Sequence, residues 1–130
     1  IMHYITFIYN KKDAKKVYNI FVTDIPNLIP CESCVKSYKK YLKKIPIRLE
    51  NRKLFINWLI DIHNLTNKKL GKSTKWNYSN VVSKYQTEYD KERVLRSFMK
   101  WTFIMKLNVS YGSIETKRSY SKLISFIFNT

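Results

Sequence analysis

Two glycines, Gly71 and Gly112, and three prolines are all that this 130-residue chain offers for tight turns. Two-residue hairpins need a positive φ at one or both central positions, which glycine supplies at the least steric cost. Antiparallel sheets are therefore poorly provided for, and the sequence predicts an all-α protein. The length suits one domain, large enough to bury a core without disulfide or metal staples. With 45% hydrophobic and 15% aromatic residues, the material for that core is present.

Apolar spacing places the helices. Residues 1–10 are a short apolar, aromatic run with the look of a helix tail. Lys11-Lys12-Asp13 reads as a break with an N-cap. Val17, Ile20 and Phe21 then give a second helix to about Thr23. Pro26 and Pro30 restrict the residues before them, so 24–30 is expected to be a loop. A third helix starts at Cys31, runs through Tyr38, Tyr41 and Leu42 to Lys44, and stops at Ile45-Pro46. The fourth covers about Asn51 to Leu70, with Leu54, Phe55, Leu59, Ile62, Leu65 and Leu70 on one side and Gly71 after its end. A short helix is expected over 79–88. Another is capped by Asp90 and carries Val94, Leu95, Phe98, Trp101, Thr102 and Met105. A turn at 108–113 around Gly112 precedes a C-terminal helix marked by Tyr120, Leu123, Ile124, Ile127 and Phe128.

The formal charge of +16 raises nucleic acid as a partner, because basic surfaces bind phosphate through counterion release. Lysine outnumbers arginine 20 to 5, however, and the lysines are scattered. There is one alanine, while Ile, Asn, Tyr and Phe abound, so a bias toward A/T-rich codons accounts for much of the lysine. No specific nucleic-acid function is expected. No apolar run approaches the roughly 20 residues that span a bilayer, and no leader of basic, apolar and small residues opens the chain.

The chemistry-bearing residues fall in two blocks. Pro30-Cys31-Glu32-Ser33-Cys34 holds the only cysteines. Such a pair can close a small, easily reduced disulfide or supply half of a metal site. Cys31 should sit at a helix N-terminus, where unpaired N–H groups and the macrodipole favour a thiolate. Cys34, one turn in, is expected to be more shielded. The second block, after 28 intervening residues, is His63-Asn64-Leu65-Thr66-Asn67-Lys68-Lys69-Leu70-Gly71-Lys72. Its helix projects His63, Asn67 and Leu70 from one side, with Lys68, Lys69 and Lys72 near the end. That mixture suits a flat heteroaromatic ligand with a phosphate tail. On spacing alone, a core histidine with surface asparagines accounts for it as well.

Taken together, the two blocks resemble the Erv/ALR family of FAD-dependent sulfhydryl oxidases. The family pattern is Cys-x-x-Cys, then His-Asn-x-x-Asn-x-x-Leu-x-Lys, with Trp58 five residues before His63. Upstream, the family carries Trp-x-x-Leu-His-x-x-Ala-x-x-Tyr. His3, Thr6 and Tyr9 fit its second half, with Met2 for Leu and Thr6 for Ala; the Trp would precede Ile1. The likeness covers about residues 1–90. Thr66 where the family usually has Val is a mild departure. The family's second, shuttling cysteine pair has no counterpart here, so the chain looks like the minimal form of large DNA viruses.

The resemblance implies a four-helix bundle with a short fifth helix holding FAD, over 1–90. Residues 91–130 form a helical extension packed on the same domain or at a dimer interface. It implies a thiol oxidase that passes electrons from substrate dithiols through Cys31 and Cys34 to FAD and then to O2, giving H2O2. Cys31 is the interchange thiol and Cys34 the one in charge-transfer contact with the flavin. His3, Tyr9, His63, Asn64, Asn67, Leu70 and Lys72 hold the cofactor, with Trp76 and Tyr85 adding aromatic or hydrogen-bond contacts. The expected partners are a thioredoxin-like or small Cys-x-x-Cys protein and a second copy of the chain. The expected location is host cytoplasm or virion for a viral chain, with the mitochondrial intermembrane space and the secretory pathway kept open. Two alternatives are a zinc module using Cys31, Cys34, His3 and His63, and a basic nucleic-acid-binding helical module without enzyme activity.

Overall fold

A computed structural model describes residues 1–86, 91–104 and 113–129. The secondary-structure elements among the described residues are all helical, with no strand. In order they form α1 (Met2–Ile8), a 3₁₀ turn (Lys11–Asp13), α2 (Ala14–Asn19), a π-helical segment (Ile20–Asp24), α3 (Ile25–Leu28), α4 (Glu32–Lys44), α5 (Arg52–Lys69), α6 (Tyr78–Gln86), α7 (Lys91–Ile104) and α8 (Ile114–Phe128). The expected cap at Asp90, the side chains of Trp101, Thr102 and Met105, and the turn around Gly112 lie outside the described residues.

Four helical arms surround one core: α1, the continuous run α2–π–α3, α4 and α5. Fully buried Phe55 and Trp58 of α5 meet Phe21 edge-on, at ring-centroid separations of 5.0 and 5.7 Å. Edge-to-face packing aligns the positive ring edge with the negative face of its neighbour. The Trp58 indole N–H donates to the Ile45 carbonyl just past α4, at 2.8 Å. The short α6 packs against another side of α5 through Ile56, Ile60 and Val81. The segment after residue 90 joins the main core through Val94 and Phe98 of α7 and Leu123 and Ile127 of α8.

Two expectations are corrected. The second helix does not end at Thr23 but continues to Leu28, through Pro26. The π segment explains how. In the wider register the Ile25 N–H bonds to the Ile20 carbonyl. The next such bond would run from residue 26 to the Phe21 carbonyl, and Pro26 has no N–H to give. The buried Tyr38 hydroxyl of α4 donates to that carbonyl instead, at 2.7 Å. The second correction is at the start of this run: Asp13 holds the N-cap position of α2 without a side-chain cap bond, and the side-chain cap is Asn10, one turn earlier, accepting from the Lys12 N–H at 3.1 Å at the head of the 3₁₀ turn.

Elsewhere the local chemistry matches the helix ends. Asn51 caps α5 by accepting from Leu54 N–H, and Ser113 caps α8 by accepting from Thr116 N–H. Asn77 and Asn80 cap α6 reciprocally, each backbone N–H donating to the other's side-chain oxygen at 2.7 and 2.9 Å.

Candidate active site

The end of α5 sets the site's geometry. Gly71 adopts φ +71°, a left-handed conformation open to glycine at little cost. Its N–H bonds to the Lys68 carbonyl, and the Lys72 N–H to the Asn67 carbonyl at 2.9 Å. This paired closure is a Schellman motif, which reverses the chain and lays the following segment back along α5. Asn64 grips that segment at both ends of its carboxamide. Its Nδ2 donates to the Trp76 carbonyl and its Oδ1 accepts from the Trp76 N–H, both at 2.8 Å. Buried Asn67 adds a longer bond from Nδ2 to the Thr74 carbonyl, at 3.4 Å. The two carboxamides thus hold the loop that carries Trp76.

Around that loop the rings converge. His3 of α1 and His63 of α5 face each other, Nε2 to Nδ1, at 3.4 Å. Tyr85 of α6 stacks on His3 with centroids 4.8 Å apart, and Trp76 lies nearly parallel to His63 at 6.1 Å. Lys84 sets its ammonium 4.8 Å from the Trp76 ring centre and 5.4 Å from that of Tyr85. Burial, then the neighbouring His63, the Ile1 amino group and Lys84, push the His3 imidazole down to about 4. His63 is lowered by burial and by Lys72 and Lys84. Both imidazoles are therefore neutral at physiological pH, where they can hydrogen-bond as donor and acceptor.

His3, His63, Asn64, Asn67, Lys72, Trp76 and Tyr85 are thus brought to one place. Tyr9 and Leu70 are not. α1 ends at Ile8, and the extended backbone at Tyr9 turns its ring into the core against Phe55; its hydroxyl donates to the Leu49 carbonyl at 2.6 Å. Leu70 follows the last helical residue just before the reversal at Gly71, and is left 62% exposed. Lys84 was missed by sequence reasoning: one lysine among 20 carries no signal until α6 places it over two rings.

The cysteines occupy the start of α4. Cys31 is the residue before the first turn, with extended backbone (φ −104°, ψ 118°), and its carbonyl accepts the first helical bond, from the Val35 N–H. Its Sγ lies 3.1 Å from the Ser33 hydroxyl. Hydrogen bonding from the Cys34 thiol, then from Ser33, holds the Cys31 thiol down to about 7. The same bond, seen from the other side, raises Cys34, while the nearby Lys69 charge lowers it in part. The expected shielding of Cys34 does not occur: both thiols are free and exposed, because the first turn of α4 stands clear of the core. Lys69 bridges the two blocks, its ammonium donating to the Ser37 hydroxyl of α4. Sequence reasoning grouped that lysine with the phosphate-binding cations.

Among the described residues, no group of three or more His, Cys, Asp or Glu gathers to hold a metal. The four ligands of the zinc alternative, Cys31, Cys34, His3 and His63, do not converge. The ring cluster does fit a flavin dinucleotide in its chemistry. It offers aromatic faces, two cations, and a buried His3 Nδ1 with no hydrogen-bond partner among the described residues. A buried polar atom left so is costly, and a ligand group can satisfy it. No described helix is long and apolar enough to cross a membrane.

Comparison with known proteins bears on both blocks. The sequence profile of the Erv1 / Alr family matches residues 1–88. A rice protein named FAD-linked sulfhydryl oxidase ERV1 is 34% identical over 62 residues, which cover 48% of this chain and 30% of that protein. A Saccharomyces cerevisiae protein named mitochondrial FAD-linked sulfhydryl oxidase ERV1 is likewise 34% identical over 62 residues, 48% of this chain and 31% of its own. An Acanthamoeba polyphaga mimivirus protein named probable FAD-linked sulfhydryl oxidase R368 is 33% identical over 64 residues, 47% of this chain and 45% of its own. The matches thus span less than half the length of each of these relatives. No solved structure matches the chain.

Proposed function

Because the chain belongs to the Erv1 / Alr family, we propose that it is an FAD-linked thiol oxidase that turns dithiols into disulfides through Cys31 and Cys34. The observation that carries this reading is the state of Cys31: an exposed thiol at a helix N-terminus, held down to about 7. Such a sulfur is substantially thiolate at neutral pH and reacts and departs readily.

His3, His63, Lys72, Trp76 and Tyr85 hold the cofactor in this reading, with Lys84 as a further cation. Asn64 and Asn67 act by fixing the Trp76 loop. When bound, FAD supplies a two-electron acceptor whose reoxidation by dioxygen yields hydrogen peroxide. The exchange itself belongs to the cysteines. In the oxidised pair, a substrate thiolate attacks Cys31 Sγ, the Cys31–Cys34 bond breaks, and Cys34 departs as the thiolate. The substrate's second thiolate attacks its own sulfur in the mixed disulfide and expels Cys31. Two substrate thiols have become one disulfide, their two protons have been released, and the cysteine pair holds the two electrons. The low pKa of Cys31 favours its departure in the second exchange. Lys69 stabilises the negative charge that develops on Cys34 in the first.

The proposed substrates are dithiol proteins, thioredoxin-like or with a small Cys-x-x-Cys segment. The proposed assembly is a homodimer. Its setting is a viral one, in host cytoplasm or virion, supported by the mimivirus relative and the A/T-type composition; the yeast relative's name supports a mitochondrial one. Purified protein should be yellow and should consume oxygen when given dithiothreitol, and Cys31→Ser or Cys34→Ser should abolish that uptake. Colourless protein that binds no added FAD would overturn the reading.

A further inference from the structure

Lysines that are scattered along the sequence are gathered on the surface of α4. This helix of 13 residues carries five of the 20, Lys36, Lys39, Lys40, Lys43 and Lys44. At about 100° per residue they fall within an arc of about 140°, turned away from the buried Tyr38. All five are exposed. Lys36 pairs with Glu32 at 3.6 Å, and the other four have no acidic partner among the described residues. Three like-charge pairs, 36 with 40, 39 with 43 and 40 with 44, stand four residues apart, a spacing at which they weaken the helix. Codon bias accounts for the number of lysines but not for their gathering on one face.

The same helix carries the thiols. Cys31 is the residue before its first turn, Cys34 lies within that turn, and residues 31–34 are all exposed, so the approach along α4 is open. At a rise of about 1.5 Å per residue, the five lysines extend from about 3 to 15 Å along the axis from Cys34. That reach is comparable with the Debye length, about 8 Å at physiological ionic strength. On the flank toward α5, Lys69 adds a further cation beside Cys34. The chemistry of the face narrows its partner. α4 has no arginine, whose planar fork suits phosphate, and no aromatic residue on the lysine arc to stack on bases. Solvated ammonium groups beside a thiol pair suit an acidic protein surface better than a nucleic acid.

We propose that the lysine face of α4 steers and docks the thiol-donating protein, whose surface beside its dithiol is acidic. The proposal rests on the thiol-oxidase reading and gives its substrate a charge class. Attraction of this kind acts mainly on the rate of encounter, so it raises kcat/KM and fades with salt. Small uncharged dithiols are oxidised without its help.

The test measures oxygen uptake by the FAD-loaded protein with two Cys-x-x-Cys peptides of equal length, one flanked by glutamates and the other by lysines. Dithiothreitol, uncharged and small, is the reference. In about 20 mM salt the Glu-flanked peptide should have kcat/KM at least about tenfold higher, and in about 0.5 M salt the two should come within about twofold. Lys39→Glu, Lys40→Glu and Lys43→Glu together should remove the low-salt preference. Glutamine at the same three positions should reduce it, and both residues are good helix formers that preserve α4. Lys11→Glu, Lys12→Glu and Lys15→Glu, exposed on the 3₁₀ turn and α2, change the net charge equally and should leave most of the preference. Dithiothreitol oxidation should be unchanged in every variant. Equal kcat/KM for the two peptides on the unaltered protein would overturn the proposal. Equal losses in the two Glu triples would overturn it too, because net charge alone would then attract the peptide. A third contrary result is a DNA duplex that binds at about 0.15 M salt through the α4 lysines while the peptides show no preference, which would assign the face to nucleic acid. If dithiothreitol itself were not oxidised, the thiol-oxidase reading would fall, and the docking proposal with it.

Discussion

At the scale of single residues, the asymmetry between two chemically identical side chains matters most. Cys31 and Cys34 are both exposed, so burial does not separate them; the hydrogen bonds at the start of α4 do. Donation from Cys34 and Ser33 favours the charged form of Cys31, whose proton leaves first. In the reduced protein, the rate of iodoacetamide alkylation at Cys31 should rise with pH to a half-maximum near 7, while Cys34 should react only at higher pH. Peptide mapping by mass spectrometry separates the two, and identical profiles centred near 9 would contradict the assignment. The placement of Cys31 was legible because proline before a polar, non-β-branched run is a strong helix-start signal. The exposure of Cys34 was not: a residue one turn into a helix is shielded only if that turn faces a neighbour, and spacing does not show which way the first turn faces.

At the scale of elements, two side chains complete backbone that the helices leave open. Tyr38 closes the Phe21 carbonyl that Pro26 strands, and Asn64 closes both backbone groups of Trp76. Tyr38→Phe leaves a buried acceptor without its donor and should cost about 1–3 kcal/mol, read as a lower urea midpoint at unchanged slope. No change in midpoint would mean that the π segment does not depend on this bond. Asn64→Ala frees the Trp76 loop and should weaken FAD binding by about ten- to a hundredfold, in step with the loss of one or two good hydrogen bonds. A fluorescence titration measures this, and an unchanged dissociation constant would remove the loop from the account. The Asn64 block was readable from sequence because its residues share a helix, where spacing fixes direction. Tyr9 was misplaced for the complementary reason. It lies one residue past the end of α1, and beyond a helix end periodicity no longer says where a side chain goes. The helical passage through Pro26 was hidden likewise, since its compensating donor is 12 residues away in sequence and on another helix.

At the scale of the molecule, the C-terminal helices belong to the core that supports the site. Leu123 is 1% exposed and Ile127 fully buried, and Ser119 of α8 donates to the buried Asp24 carboxylate at 2.9 Å. Leu123→Ala should therefore destabilise the whole protein by about 2–5 kcal/mol, as core truncations do. A change within about 0.5 kcal/mol, as at a surface position, would show that α8 is an appendage. The all-α class was legible in turn-residue scarcity, and the family in two motifs. Where α7 and α8 would settle was not, because an amphipathic stripe states that a face is buried without naming what buries it.

The central claim is that the Cys31–Cys34 pair works against a bound flavin, with Cys34 as the sulfur beside the ring. Visible absorbance of the FAD-loaded Cys31→Ala and Cys34→Ala proteins tests it most directly. Cys31→Ala leaves Cys34 as the only thiol, and should show a long-wavelength thiolate-to-flavin band that rises with pH. Cys34→Ala should show none. The reverse pattern would exchange the two roles, and the absence of any band from both proteins would contradict the claim.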